Sequence, residues 1–315
     1  MIKSKFKYIG IIISILSLIY IYHVIKNSKF ETIPFHKYSL ILLISTFFLF
    51  SVINIISIFI CSIIWKIILE FISRKKLNNK EIINVYLKSN ISKYLPGNVM
   101  QYASRNFLGE KFGWDREKII YSSALELFLG TLFTFILFII CIILTGKADL
   151  NRLSFLINKN YIYLFIFIAI IFNAGILFWG LKSKKLYLLF TKTNFREIKR
   201  LLLKCFSLYF VNSAINILIA IWVFYLYSET FLSLNNMILI AASTVIAYFV
   251  GFVAVGSPAG IGVRESIMII LLSPICNPVS ILIALAVLRL TSIIGDVLAY
   301  FITIFFFRNK YLKIH

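Results

Sequence analysis

The chain has 315 residues, is 61% hydrophobic with only 14% charged residues, and carries a net charge of +21. Its mean hydropathy of +0.94 excludes an ordinary soluble domain, which has no core large enough to bury so much apolar surface. The basic residues cluster between apolar runs, so they read as loops against an anionic leaflet and exclude a nucleic-acid partner.

In chain order, Lys3-Ser4-Lys5-Phe6-Lys7 precedes an apolar run from Tyr8 to Ile25. It resembles a signal peptide but has no small-x-small cleavage site and its core is long. It is expected to remain as a first span with a cytoplasmic N-terminus. Runs of about 20 apolar residues then predict spans over 7–25, 39–65, 118–144, 161–181, 203–227 and 279–307, with 236–256 as a candidate seventh. At 1.5 Å per residue the second is about 40 Å long, so it tilts or projects from the bilayer.

Eleven Lys and Arg lie in 66–118 and eight in 182–204, against three each in 26–38 and 145–160 and none in 228–235. The first two segments read as cytoplasmic and the others as external. The basic connector 182–204 reads equally as a surface-lying segment or an ordinary loop. Segment 236–276 has two arrangements: a full crossing followed by a short dip, or one hairpin entering from outside. The hairpin obeys the charge rule better, and it makes 236–276 the topological inverse of 80–112. Opposed broken hairpins recur in transporters, with the site between them. The expected fold is therefore an all-α, polytopic membrane protein forming one domain over 1–315. It has six to eight transmembrane helices and two re-entrant Pro/Gly-broken hairpins, at about 80–112 and 236–276.

The hairpin breaks hold the informative residues. Pro96 ends a helix predicted over 82–95, Gly97 permits the reversal and Asn98 is a candidate N-cap. Asn98, Gln101 and Arg105 share a face of the next helix. In the second break, Ser257-Pro258-Ala259-Gly260-Ile261-Gly262 precedes Val263-Arg264-Glu265. Small residues and free N–H groups at a helix start favour phosphate, and Arg264 suits a bidentate clamp on it. Glu265 suits the first helical turn or an arginine of another helix.

Charge inside the spans adds Glu126, Arg289 and Asp296, each costing about 2.5–3.5 kcal/mol at the bilayer centre. Two readings stay open. Arg289–Asp296 and a Glu126–Arg pair are structural, or Arg105, Arg264 and Arg289 form a phosphate site with Glu126, Glu265 and Asp296 as counter-ions or proton carriers. Thr291, Gly295 and Ala299 form a small-residue ridge for helix packing. Asn54 with Ser51 and Ser57, and Asn212 with Asn216, suit interhelical hydrogen bonds. Cys61, Cys141, Cys205 and Cys276 are widely spaced, and His23, His36 and His315 are isolated. Hence no disulfide framework, metal, cofactor or Ser-His-Asp set is expected.

Lys93-Tyr94-Leu95-Pro96-Gly97, Gln101, Arg105, Glu126 and the string Pro258-Ala259-Gly260-Ile261-Gly262-Val263-Arg264-Glu265 together resemble the lysylphosphatidylglycerol synthase transmembrane-region family, also called the flippase-like integral membrane family. The resemblance runs over roughly residues 8–307. It implies a prokaryotic inner-membrane protein handling an anionic or aminoacylated phospholipid, or a lipid-linked glycan. In the multidomain relatives this region moves lysyl-phosphatidylglycerol outward and confers resistance to cationic peptides, while a separate cytoplasmic domain makes that lipid. The chain ends eight residues after its last predicted span, so the expectation is the flippase part without the synthase. An integral-membrane transferase, or a non-catalytic partner of an envelope synthase or glycosyltransferase, is the competing expectation.

Overall fold

The computed structural model describes residues 39–95, 100–147, 193–228, 233–253, 260 and 262–306, with isolated positions at 19, 22, 23, 26, 171 and 173–175. The predicted spans 7–25 and 161–181 therefore lie largely outside the described residues, as do Pro96, Gly97, Asn98 and Pro258. The described residues form helices and no strands. The protein is an all-α polytopic membrane protein; among the described residues, five helices are long and apolar enough to cross a bilayer.

Helix α1 (Leu40–Ser73) starts on Ser39, whose hydroxyl accepts the Leu42 N–H at 3.3 Å. It runs past the predicted end at 65, because Lys66 and Glu70 pair at i,i+4 and Ile68, Leu69 and Ile72 stay buried. Its 34 residues span about 51 Å, well over the hydrocarbon thickness of about 30 Å. Arg74 closes it in the left-handed region, at φ 56°.

Helix α2 (Asn79–Asn90) is capped by the Asn78 side chain and tightens into a 3-10 turn over Ile91–Tyr94. Helix α3 (Met100–Glu110) follows. At 12 and 11 residues, α2 and α3 are about 17–18 Å long, too short to cross a bilayer. They pack on each other and against α1, α4 and α8. A turn through Gly113, at φ +73°, leads into α4 (Arg116–Lys147).

Helix α5 (Phe195–Tyr227) starts on Asn194, eight residues before the predicted span. The second half of the supposed connector 182–204 is thus helix, with Leu201 and Cys205 buried among its basic residues. Residues 182–192 lie outside the described set. Helices α1 and α5 are antiparallel and tied at both ends. Arg74 bonds Glu197 and Thr193, each at 2.5 Å, and Tyr227 donates to the Leu43 carbonyl at 2.7 Å.

Helices α6 (Leu234–Val253) and α7 (Val263–Leu272) pack on each other. Their arms are unequal, however. Leu234–Gly251 is of spanning length, whereas α7 has 10 residues. Helix α8 (Pro278–Phe306) begins with Pro at its first position, where the missing N–H is harmless, and Asn277 accepts the Val279 N–H at 3.0 Å.

The largest core joins α1, α4, α5, α6, α7 and α8 through residues such as Phe50, Phe138, Phe224, Ile246, Leu272 and Ile281. Leu49, Val52, Phe210, Trp222 and Phe301 face outward, as expected where the surroundings are lipid. Thr291, Gly295 and Ala299 pack within the molecule. A Cβ on Gly295 would lie 2.8 Å from Asn54 Cβ and 2.9 Å from the Ser51 carbonyl oxygen, so α8 rides directly on the α1 backbone. Gly295→Val is expected to cost about 1–3 kcal/mol, read as a lower melting temperature in detergent. An unchanged melt would mean that the two helices do not meet there.

Candidate functional site

Helices α1, α2, α3, α5, α6, α7 and α8 surround a cavity of about 300 Å³ with polar walls. Asn54, Ser57 and Cys61 come from α1, Tyr86 and Asn90 from α2, and Lys93 and Tyr94 from the 3-10 turn. Gln101 comes from α3, Asn212 and Asn216 from α5, and Tyr248 from α6. Arg264 comes from α7, and Arg289, Ser292 and Asp296 come from α8. A cavity with so many polar groups inside an apolar bundle is costly unless those groups are satisfied or used.

Most of the charge is satisfied within the protein. Asp296, 2% exposed, accepts from Asn90 Nδ2 at 2.7 Å, from Lys93 Nζ at 2.7 Å and from the Tyr94 hydroxyl. Residues three apart eclipse in 3-10 geometry. The tightened turn therefore brings Asn90 and Lys93 to one carboxylate, with Tyr94 beside them. Arg289 Nε donates to Glu265 Oε1. The sequence-level Arg289–Asp296 pair is thus replaced by two pairs between different elements. Seven residues along one helix hold those side chains apart, while the neighbouring turn and α7 offer closer partners.

Glu126 bonds Arg105 on α3 and accepts from the Tyr86 hydroxyl at 3.0 Å. The Arg105 guanidinium sits 4.2 Å from the Tyr86 ring centre, 4.9 Å from Trp65 and 5.3 Å from Tyr102. Only 1% of Arg105 is exposed, and it lies behind Tyr86 rather than on the cavity wall. Gln101, predicted to share its face, does reach the wall. Of the three arginines proposed from the sequence, Arg264 and Arg289 meet in one cavity. Arg105 is paired with Glu126 away from that wall.

Arg264 stands apart. Its guanidinium lies 4.4 Å from the Tyr248 ring centre. Among the described residues no carboxylate pairs with it, unlike Arg105 and Arg289; its Nε, like that of Arg105, is buried without a hydrogen-bond partner. Two glycines admit its stem: a Cβ on Gly251 would lie 2.4 Å from Arg264 Cγ, and one on Gly260 would lie 2.8 Å from its Nε. Gly260 and Gly262 both have positive φ, 71° and 86°, which favours glycine. Gly260 and Gly262 are not on the cavity wall, and the expected phosphate cradle does not form at Gly262: its N–H donates to Glu265 Oε2 at 2.8 Å, so the helix start is capped by its own side chain. Gly260→Ala is expected to displace Arg264 and to cost about 1–2 kcal/mol. The readout is a lower melting temperature; an unchanged value would contradict this packing.

Lys93, Tyr94, Asn90 and Tyr248 join the site without having been chosen from the sequence. Lys93 and Tyr94 were visible as part of the Pro/Gly motif. Nothing in the sequence marked Asn90 or Tyr248. Among the described residues, the amides expected to bridge helices do so through Asn216 Nδ2 to Ser57 Oγ at 3.2 Å. Asn54 bonds its own helix at the Phe50 carbonyl. Asn212, whose Oδ1 is buried without a partner, also borders a second cavity of about 200 Å³. That second space lies between α4, α5 and α6 and shares Asn212, Asn216 and Tyr248 with the first. Its other walls include Phe133, Leu137, Ile217, Val245 and Phe249. Among the described residues no group of three or more His, Cys, Asp and Glu is arranged to hold a metal ion. No protein-family model matches the chain, and no curated protein matches it.

Proposed function

We propose that the protein is a lipid translocase of the flippase-like integral membrane type, and that the polar cavity receives an anionic phospholipid or lipid-linked headgroup. The observation that carries this reading is Arg264. It is a cation at the cavity wall with a buried, unpartnered Nε, beside carboxylates that are already bonded to other cations. Among the described residues, three cations (Lys93, Arg264 and Arg289) stand against two carboxylates, Asp296 and Glu265. One positive charge is left for a ligand, and a guanidinium binds phosphate oxygens well. The adjoining second cavity supports a lipid ligand, because its apolar walls suit an acyl or prenyl chain beside a polar headgroup. Short helices abutting a polar cavity within a membrane bundle also suit transport.

In this reading Arg264 holds the phosphate, Arg289 adds field from its pair with Glu265, and Gln101, Asn212 and Asn216 orient the rest of the headgroup. The Asp296–Lys93–Tyr94–Asn90 cluster ties the α2 hairpin tip to α8 and fixes the opposite wall. The testing experiment compares total and outer-leaflet lipids in cells lacking the protein with complemented cells, by mass spectrometry and a membrane-impermeant headgroup label. Changed sidedness at constant composition is the expected result. A changed composition would instead identify a transferase, and no change in either would remove the lipid reading.

A further inference from the structure

We propose that the headgroup admitted by this cavity is a net-anionic polyol phosphate, and that the cavity rejects an aminoacylated headgroup bearing an ammonium. The proposal rests on the lipid reading above and narrows its substrate class.

An incoming ammonium can donate to a neutral amide oxygen, but its charge is compensated only by a carboxylate or an aromatic face. Asp296 is held by Lys93, Asn90 and Tyr94. Glu265 is held by Arg289 and the Gly262 N–H. Glu126, behind the wall, is held by Arg105 and Tyr86. The aromatic faces are committed in the same way. The cavity is lined by Tyr86, Tyr94 and Tyr248, and each ring has a protein cation over it: Arg105 at 4.2 Å, Lys93 at 5.3 Å and Arg264 at 4.4 Å. An ammonium would have to displace one of these cations and leave it uncompensated in a low-dielectric site. It would also meet the repulsion of Arg264.

Hydroxyl groups find the opposite situation. Asn54, Asn212, Asn216, Gln101 and Ser292 present neutral amide and hydroxyl groups along the wall, and the Asn212 Oδ1 lacks a partner. Amides both donate to and accept from hydroxyls. A phosphate on Arg264 with its glycerol or sugar hydroxyls toward α5 brings a donor to the Asn212 Oδ1, which the protein leaves without a partner.

The test uses the full chain in phosphatidylcholine nanodiscs, with binding read by native mass spectrometry. Phosphatidylglycerol is expected to bind about tenfold or more tightly than lysyl-phosphatidylglycerol, and more tightly than phosphatidic acid, which has the phosphate without the polyol. Asn212→Leu is expected to bring phosphatidylglycerol down toward phosphatidic acid. Lys93→Ala is expected to raise lysyl-phosphatidylglycerol binding, because Asp296 then lacks its cation. If that variant does not fold, the wild-type comparison and Asn212→Leu still decide the matter. Lysyl-phosphatidylglycerol binding as tightly as phosphatidylglycerol to the wild type would overturn the proposal and leave the lipid reading standing. Soluble glycerol 3-phosphate binding as tightly as phosphatidylglycerol would keep the headgroup chemistry but overturn a lipid source. Failure of every lipid to bind would overturn both readings.

Discussion

Arg105→Ala is expected to destabilise the protein by about 3–5 kcal/mol, read as a large drop in melting temperature or loss of the folded species in detergent. Arg105 is enclosed by Trp65, Tyr86 and Tyr102 and bonded to Glu126. Removing it strands the Glu126 carboxylate and opens a space between α3 and α4. Glu126→Gln is expected to be nearly as severe. It keeps an acceptor for the Tyr86 hydroxyl but leaves a buried guanidinium without its counter-charge. The double change Arg105→Met with Glu126→Leu is expected to recover much of the loss, since removing both charges avoids the desolvation that the pair must offset. Independent, additive losses in the double variant would contradict this account of the pair.

Arg264→Ala is expected to behave in the opposite way, with a melting temperature near wild type and a loss of anionic-lipid binding. Its charge has no carboxylate partner among the described residues, so its removal strands nothing and relieves a desolvation cost. A charge-assisted bidentate contact is worth about 1.5–3 kcal/mol, so binding is expected to fall about 10- to 100-fold. Arg264→Lys is expected to recover only part of it, because an ammonium has no planar fork and its stem places the charge differently. The two arginines thus separate by experiment, Arg105 through stability and Arg264 through binding. A collapse in stability for Arg264→Ala would assign it a structural role instead.

The spans were legible in the sequence because a stretch that crosses lipid has to be apolar over about 20 residues. Their ends were less so. Helix α1 continues through Lys66 and Glu70, which satisfy each other along the helix. Helix α5 starts among Arg196, Lys199 and Arg200, because helix formation does not stop where hydropathy does. The site was half legible. Arg264, Glu265, Arg289 and Asp296 stood out as expensive charges in apolar surroundings. Which carboxylate each cation would take was not readable, since Lys93–Asp296 and Arg105–Glu126 are set by packing between distant segments. Tyr248 and Asn90 carried no signal. A tyrosine in a span is usual, and only the approach of Arg264 through Gly251 and Gly260 gives that ring its role.

The central claim is that Arg264, which has no carboxylate partner among the described residues, receives an anionic headgroup. The most direct measurement is the thermal shift produced by phosphatidylglycerol added to the purified protein in phosphatidylcholine nanodiscs, for wild type and Arg264→Ala side by side. The account predicts a concentration-dependent rise in melting temperature for the wild type and none for the variant, with equal melting temperatures before lipid is added. An equal rise in both proteins would contradict it.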